Sequence, residues 1–89
     1  MTGRRPVRRG QVITAAQCRA ARALIDMSEA ELSGSAVVPR GVIQDFEAVV
    51  TPPRPADLEA IQRALEAAGV EFIAENGGGP GVRLRKGGK

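Results

Sequence analysis

The 89-residue sequence contains no histidine, no tryptophan and no tyrosine, two phenylalanines and a single cysteine. Without histidine there is no imidazole general base and no histidine-ligated metal. One cysteine cannot close an internal disulfide or build a four-cysteine zinc site, so a reducing compartment is the natural setting. Two aromatic rings leave no stacking platform for single-stranded nucleic acid. No apolar run approaches the roughly 20 residues that cross a bilayer. The basic N-terminus is not followed by the hydrophobic segment of a secretory signal. These absences argue against an enzyme, a cofactor or a membrane partner, and for a cytoplasmic binding module of one small domain.

What the sequence does have is charge, unevenly placed. It carries 13 Lys+Arg and 10 Asp+Glu, a net charge of +3. Residues 1–25 hold Arg4, Arg5, Arg8, Arg9, Arg19 and Arg22 and no acid. All ten acids fall in 26–75, beside only Arg40, Arg54 and Arg63. Arg83, Arg85, Lys86 and Lys89 follow, again without an acid. Basic ends therefore flank an acidic middle. Residues 1–12, with four arginines interrupted by Pro6 and closed by Gly10, read as a disordered basic arm. Residues 87–89 read as a flexible end.

Between these ends the hydrophobic spacing predicts four helices over residues 13–69. The first opens at Thr14, a capping residue, and places Cys18, Ala21, Leu24 and Ile25 on one face. Asp26-Met27 breaks it. The second opens at Ser28, where Glu31 three residues on completes a capping box. Ser33, Gly34 and Ser35 weaken its last turn, and Val37-Val38 leave it. The third begins near Pro39, with Ile43 and Phe46 inward. Residues 49–55 form a loop, since three prolines in four positions forbid regular hydrogen bonding. Pro55 starts the fourth helix, whose apolar stripe runs through Leu58, Ile61, Leu65 and Ala68. Glu59 and Arg63 pair on its exposed side. Gly69 closes it, with Val70 folding back onto Leu65.

The period then changes. VEFIA and VRLR, within residues 70–86, read as two strands of a β-hairpin joined by ENGGGPG. Two strands alone are marginal in water. They need helical cover or the strands of a second copy, which makes the hairpin a candidate dimerisation element. The overall expectation is a mainly α protein: four helices followed by a short C-terminal β-hairpin.

The order and motifs of these helices resemble the helix-turn-helix domains of the XRE family, the lambda repressor/Cro type. The resemblance covers roughly residues 14–68. It rests on Arg22 with ALIDM and Ser28, on Ala30-Glu31-Leu32, on VIQDFE at 42–47, and on TPPRPADLEAIQRALEAAGVEF. The tail GVEFIAENGGGPGVRLRK is similar to that of a recurrent subgroup of short bacterial regulators. The resemblance implies a sequence-specific transcriptional regulator that docks its third helix in the major groove of double-stranded DNA. It implies a structural ion pair between Arg22 and Glu47. It also implies DNA-facing positions at Ser28, Glu29, Pro39, Arg40, Gly41, Gln44 and Asp45, and a homodimer presenting two such helices about 34 Å apart. The sequence departs from the family at several of them. Glu29 stands where glutamine is common, and Pro39 where a polar cap is preferred. Gly41 and Asp45 stand where long polar side chains are frequent. Val37 replaces the turn glycine, and Val49 the glycine after the third helix. Arg40, suited to guanine, and Gln44, suited to adenine, remain for base reading.

The remaining motifs have plain readings. The arm at Arg4, Arg5, Arg8 and Arg9 is either a solvated tail or a minor-groove and phosphate contact. GGGPG lacks the GK[ST] ending of a phosphate loop and precedes no helix. Cys18 reads as a small core residue. Glu31 and Glu47 read as capping and scaffold groups rather than an acid–base pair. Two alternatives to a regulator stay open. One is a degenerate domain whose acidic middle binds a protein partner such as another regulator, polymerase or a toxin. The other is an architectural binder that grips DNA through its basic ends alone.

Overall fold

The structure, a computed structural model, describes residues 13–74 and 77–85. Four helices, α1 (Ala15–Ile25), α2 (Glu29–Ala36), α3 (Arg40–Glu47) and α4 (Pro55–Ala67), precede the strands β1 (Val70–Ile73) and β2 (Gly81–Leu84). The protein is thus mainly helical with a C-terminal antiparallel hairpin. The arm arginines Arg4, Arg5, Arg8 and Arg9, the rest of 1–12, and residues 86–89 lie outside the described residues.

Local chemistry sets the first two helices. Thr14 accepts from the Gln17 backbone at 3.0 Å, while the Gln17 side chain returns to the Thr14 N–H at 2.9 Å. Ser28 and Glu31 form the same reciprocal box at 3.0 and 2.8 Å. Each box satisfies two backbone groups that a helix start leaves unpaired. Helix α3 differs, because Pro39 precedes it and supplies no side-chain cap.

The core gathers Ile13, Cys18, Ala21, Leu32, Ala36, Val38, Ile43, Phe46, Ile61, Leu65, Val70 and Phe72. Helix α1 is its hub and touches α3, α4 and both strands, whereas α2 packs on α3 and α4. The hairpin is covered by helices, with Val70 and Phe72 fully buried. In its register Val70 faces Leu84, Glu71 faces Arg83, Phe72 faces Val82 and Ile73 faces Gly81. Strand β2 begins one residue before the VRLR expectation.

Three details depart from the spacing argument. Leu24 is 42% exposed rather than inward, while its neighbour Ile25 packs against the core at the last residue of α1. Ala68 closes α4 and is exposed rather than extending the stripe. Leu84 is half exposed, although it pairs with the fully buried Val70. Gly69 does take a left-handed backbone after α4, with φ +108.

Candidate nucleic-acid interface

The α2–α3 pair is joined by only Val37, Val38 and Pro39. Val38 is buried and pins this connection to the core, while the Ser33 hydroxyl donates to the Val38 carbonyl at 2.6 Å. With Val38 inward, Val37 is left outside and left-handed, 87% exposed at φ +57. After α3 the chain closes in the same way. Val49 N–H donates to the Phe46 carbonyl at 3.1 Å and Val50 N–H to the Asp45 carbonyl at 2.8 Å. That pair of bonds is a Schellman closure, which favours glycine at its left-handed position. Here the position is Val49, at φ +58. A β-branched side chain in this backbone region is unusual and costs about 1–2 kcal/mol.

Helix α3 is held from within by an ionic cluster. Arg22 binds Glu47 with two hydrogen bonds, Nε to Oε2 at 2.8 Å and the terminal nitrogen to Oε1 at 2.6 Å. Its other terminal nitrogen donates to the Met27 carbonyl at 2.9 Å. The Cys18 thiol donates to Glu47 Oε2 at 3.1 Å, and Arg19 donates to the Glu47 backbone carbonyl. Burial alone would raise the Glu47 pKa. The hydrogen bonds from Arg22 and Cys18, with the charges of Arg22 and Arg19, outweigh it and hold the carboxyl below its ordinary value. The Cys18 thiol moves the other way, pushed well above the thiol range first by burial and then by its bond to Glu47. A neutral, fully buried thiol is a structural group rather than a nucleophile. The pairing of Arg22 with Glu47 was expected from the resemblance, but the parts of Cys18 and Arg19 were not.

The opposite side of α3 is open. Arg40, Gly41, Gln44 and Asp45 are all exposed, and Arg40 and Gln44 stand one turn apart on the same side. Pro39 is exposed at the head of this face. Ser28 and Glu29 lie at the start of α2, where Ser28 is committed to its capping box. Glu29 is half-buried and 4.0 Å from Arg22, so its charge leans on the scaffold cluster. The surface therefore brings together one cation, one amide and one outward acid, with exposed Val37 and Val49 at its two ends.

Gln17 is the contributor that sequence spacing missed. It is 5% exposed and reaches from α1 to the hairpin, donating to the Gly81 carbonyl at 2.9 Å and the Ile73 carbonyl at 3.4 Å. A glutamine three residues after a threonine cap was a readable signal for the box. Its second task depends on the hairpin's placement and has no local trace.

A shallow cleft between the end of α1 and α2 is lined by Ile25, Asp26, Met27, Glu31, Gly34 and Ser35, none of them on α3. Among the described residues no group of three potential metal ligands converges, and no helix is long and apolar enough to cross a membrane. No protein-family model matches the chain, and no curated protein matches it either.

Proposed function

We propose that the protein is a sequence-specific DNA-binding regulator whose α2–α3 pair is a helix-turn-helix, with α3 entering the major groove. The observation that carries this reading is the outward face of α3. It presents Arg40 and Gln44 on a helix whose far end is clamped to α1 through Glu47. Arginine suits the acceptor edge of guanine and glutamine that of adenine. Two further features support it. The left-handed residues 37 and 49 stand where the resembled family has glycine. The Arg22–Glu47 pair joins the helices that the family's ion pair joins. As a regulator the chain would act as a homodimer, with the free hairpin edges offering one route to pairing, and its site would be the nucleoid of a bacterial cytoplasm.

A fluorescence anisotropy titration tests this reading, using a duplex recovered by the wild-type chain from a randomised pool. Arg40→Ala with Gln44→Ala is expected to abolish the preference for that duplex over a scrambled one. Equal affinity for both duplexes in the wild type, with a steep salt dependence, would contradict it.

One observation favours a second reading. The face carries a single arginine next to Asp45, and Val37, Val49 and Val50 are 87, 79 and 69% exposed. Exposed apolar side chains beside a face whose one cation is offset by an acid suit a protein partner. A wild type that retains no duplex from the pool would turn the assignment to that module.

A further inference from the structure

Gly41 is the second residue of α3, at the centre of the surface formed by Arg40, Gln44 and Asp45. Among the described residues nothing calls for a glycine there. Its backbone is helical and not left-handed. A Cβ at this position would meet no atom within 4 Å. Glycine also weakens a helix relative to alanine. Helix α3 can spare little at this end, since it lacks a side-chain cap and follows the left-handed Val37. Gly34 shares the helical backbone and the open space, and what sets Gly41 apart is its place between Arg40 and Gln44 on the outward face of α3, where a bare backbone allows a partner to approach closely.

From these observations we infer that Gly41 is the point at which the α3 backbone comes closest to duplex DNA, and that it sets how deeply the helix seats in the groove. The inference rests on the reading of α3 as the DNA-contacting helix. Arg40 precedes Gly41 and Gln44 follows three residues on, so both reach past the bare position. A side chain at 41 would lift the helix away from the base edges. Hydrogen bonds to bases tolerate only a few tenths of an ångström before they fail, so both contacts would be lost together. Gly41 is thus a positioning residue for Arg40 and Gln44.

Gly34 supplies the internal control. It too is helical, a Cβ there would also meet nothing within 4 Å, and it lies in α2 away from the α3 face. The test compares wild type, Gly41→Ala, Gly41→Met and Gly34→Ala. Each full-length variant is titrated against the duplex recovered by the wild type from a randomised pool, and each is melted. Gly41→Ala is expected to bind about a hundredfold more weakly, the loss of both base contacts. Gly41→Met is expected to bind more weakly still. Both should melt no lower than wild type. Gly34→Ala should melt higher and bind as wild type does. Unchanged affinity in both Gly41 variants, with a wild type that binds, would overturn the inference and leave the DNA reading standing. A wild type that retains no duplex would overturn the DNA reading, and the inference with it.

Discussion

Helices α1 and α2 start alike, and α3 starts differently. Thr14 with Gln17 and Ser28 with Glu31 close reciprocal capping boxes, whereas Pro39 offers α3 no side chain. The ends diverge as well. Asp26 and Gly69, which follow α1 and α4, suit the left-handed backbone they adopt, while Val37 and Val49 do not. Helix α3, whose outer face is polar and exposed, therefore has little local support at either end. It is kept in place by tertiary contacts, namely buried Ile43 and Phe46 and the Glu47 cluster. Local rules broken together in one short stretch, with compensation supplied elsewhere, are expected at functional or strained sites.

Removing that compensation should have the largest effect. Glu47→Ala leaves Arg22 without its partner inside the fold. The expected cost is about 3 kcal/mol, a fall in Tm of more than about 10 °C by thermal melting. A loss under about 2 °C would mean that α3 is held by its apolar residues alone. The same cluster sets an acid limit. Because the folded-state pKa of Glu47 is lowered, its contribution is fully present above the unfolded value of about 4.3. It is lost as pH falls from there through the folded value. Wild type should therefore lose more Tm between pH 6 and 3 than Glu47→Gln does, and parallel curves would contradict the assignment.

The capped helices give the next effect. Thr14→Ala and Ser28→Ala should each cost about 1 kcal/mol, or roughly 4–8 °C in Tm. Thr14→Ala is expected to be the worse of the two, since its partner Gln17 also holds the hairpin. The smallest effect has the opposite sign. Val37→Gly or Val49→Gly relieves left-handed strain at an exposed site and should raise Tm by a few degrees, after the extra backbone freedom of glycine is subtracted. A fall in Tm would mean that the valines pack more than their exposure suggests.

This contrast also explains what was legible in the sequence. Where a signal is local, the residues announce it. Thr14, Ser28 with Glu31, the proline loop and Gly69 each satisfy a backbone need within a few positions. The inward placement of Cys18, Ile43 and Phe46 follows from helical spacing. Leu24 was misplaced because spacing marks a face but not which of two neighbours on it packs inward, here Ile25. The left-handed valines carried no signal of their own, since valine is the residue least suited to that backbone. Only the family resemblance, with glycine at those positions, pointed there. The bonds of Cys18 and Arg19 to Glu47 span 28 or 29 positions, beyond any local pattern. Of the candidate surface, Arg40, Gly41, Gln44 and Asp45 share an exposed face as expected, while Glu29 is drawn toward the scaffold.

The central claim is that α3, anchored from inside, presents its outer face to DNA. Amide chemical-shift mapping of the full chain against the pool-selected duplex tests it most directly. The account expects the largest shifts at residues 40–45, with α4 and the hairpin little changed. Shifts that spare α3, whether confined to the N-terminal arginines or absent altogether, would contradict it.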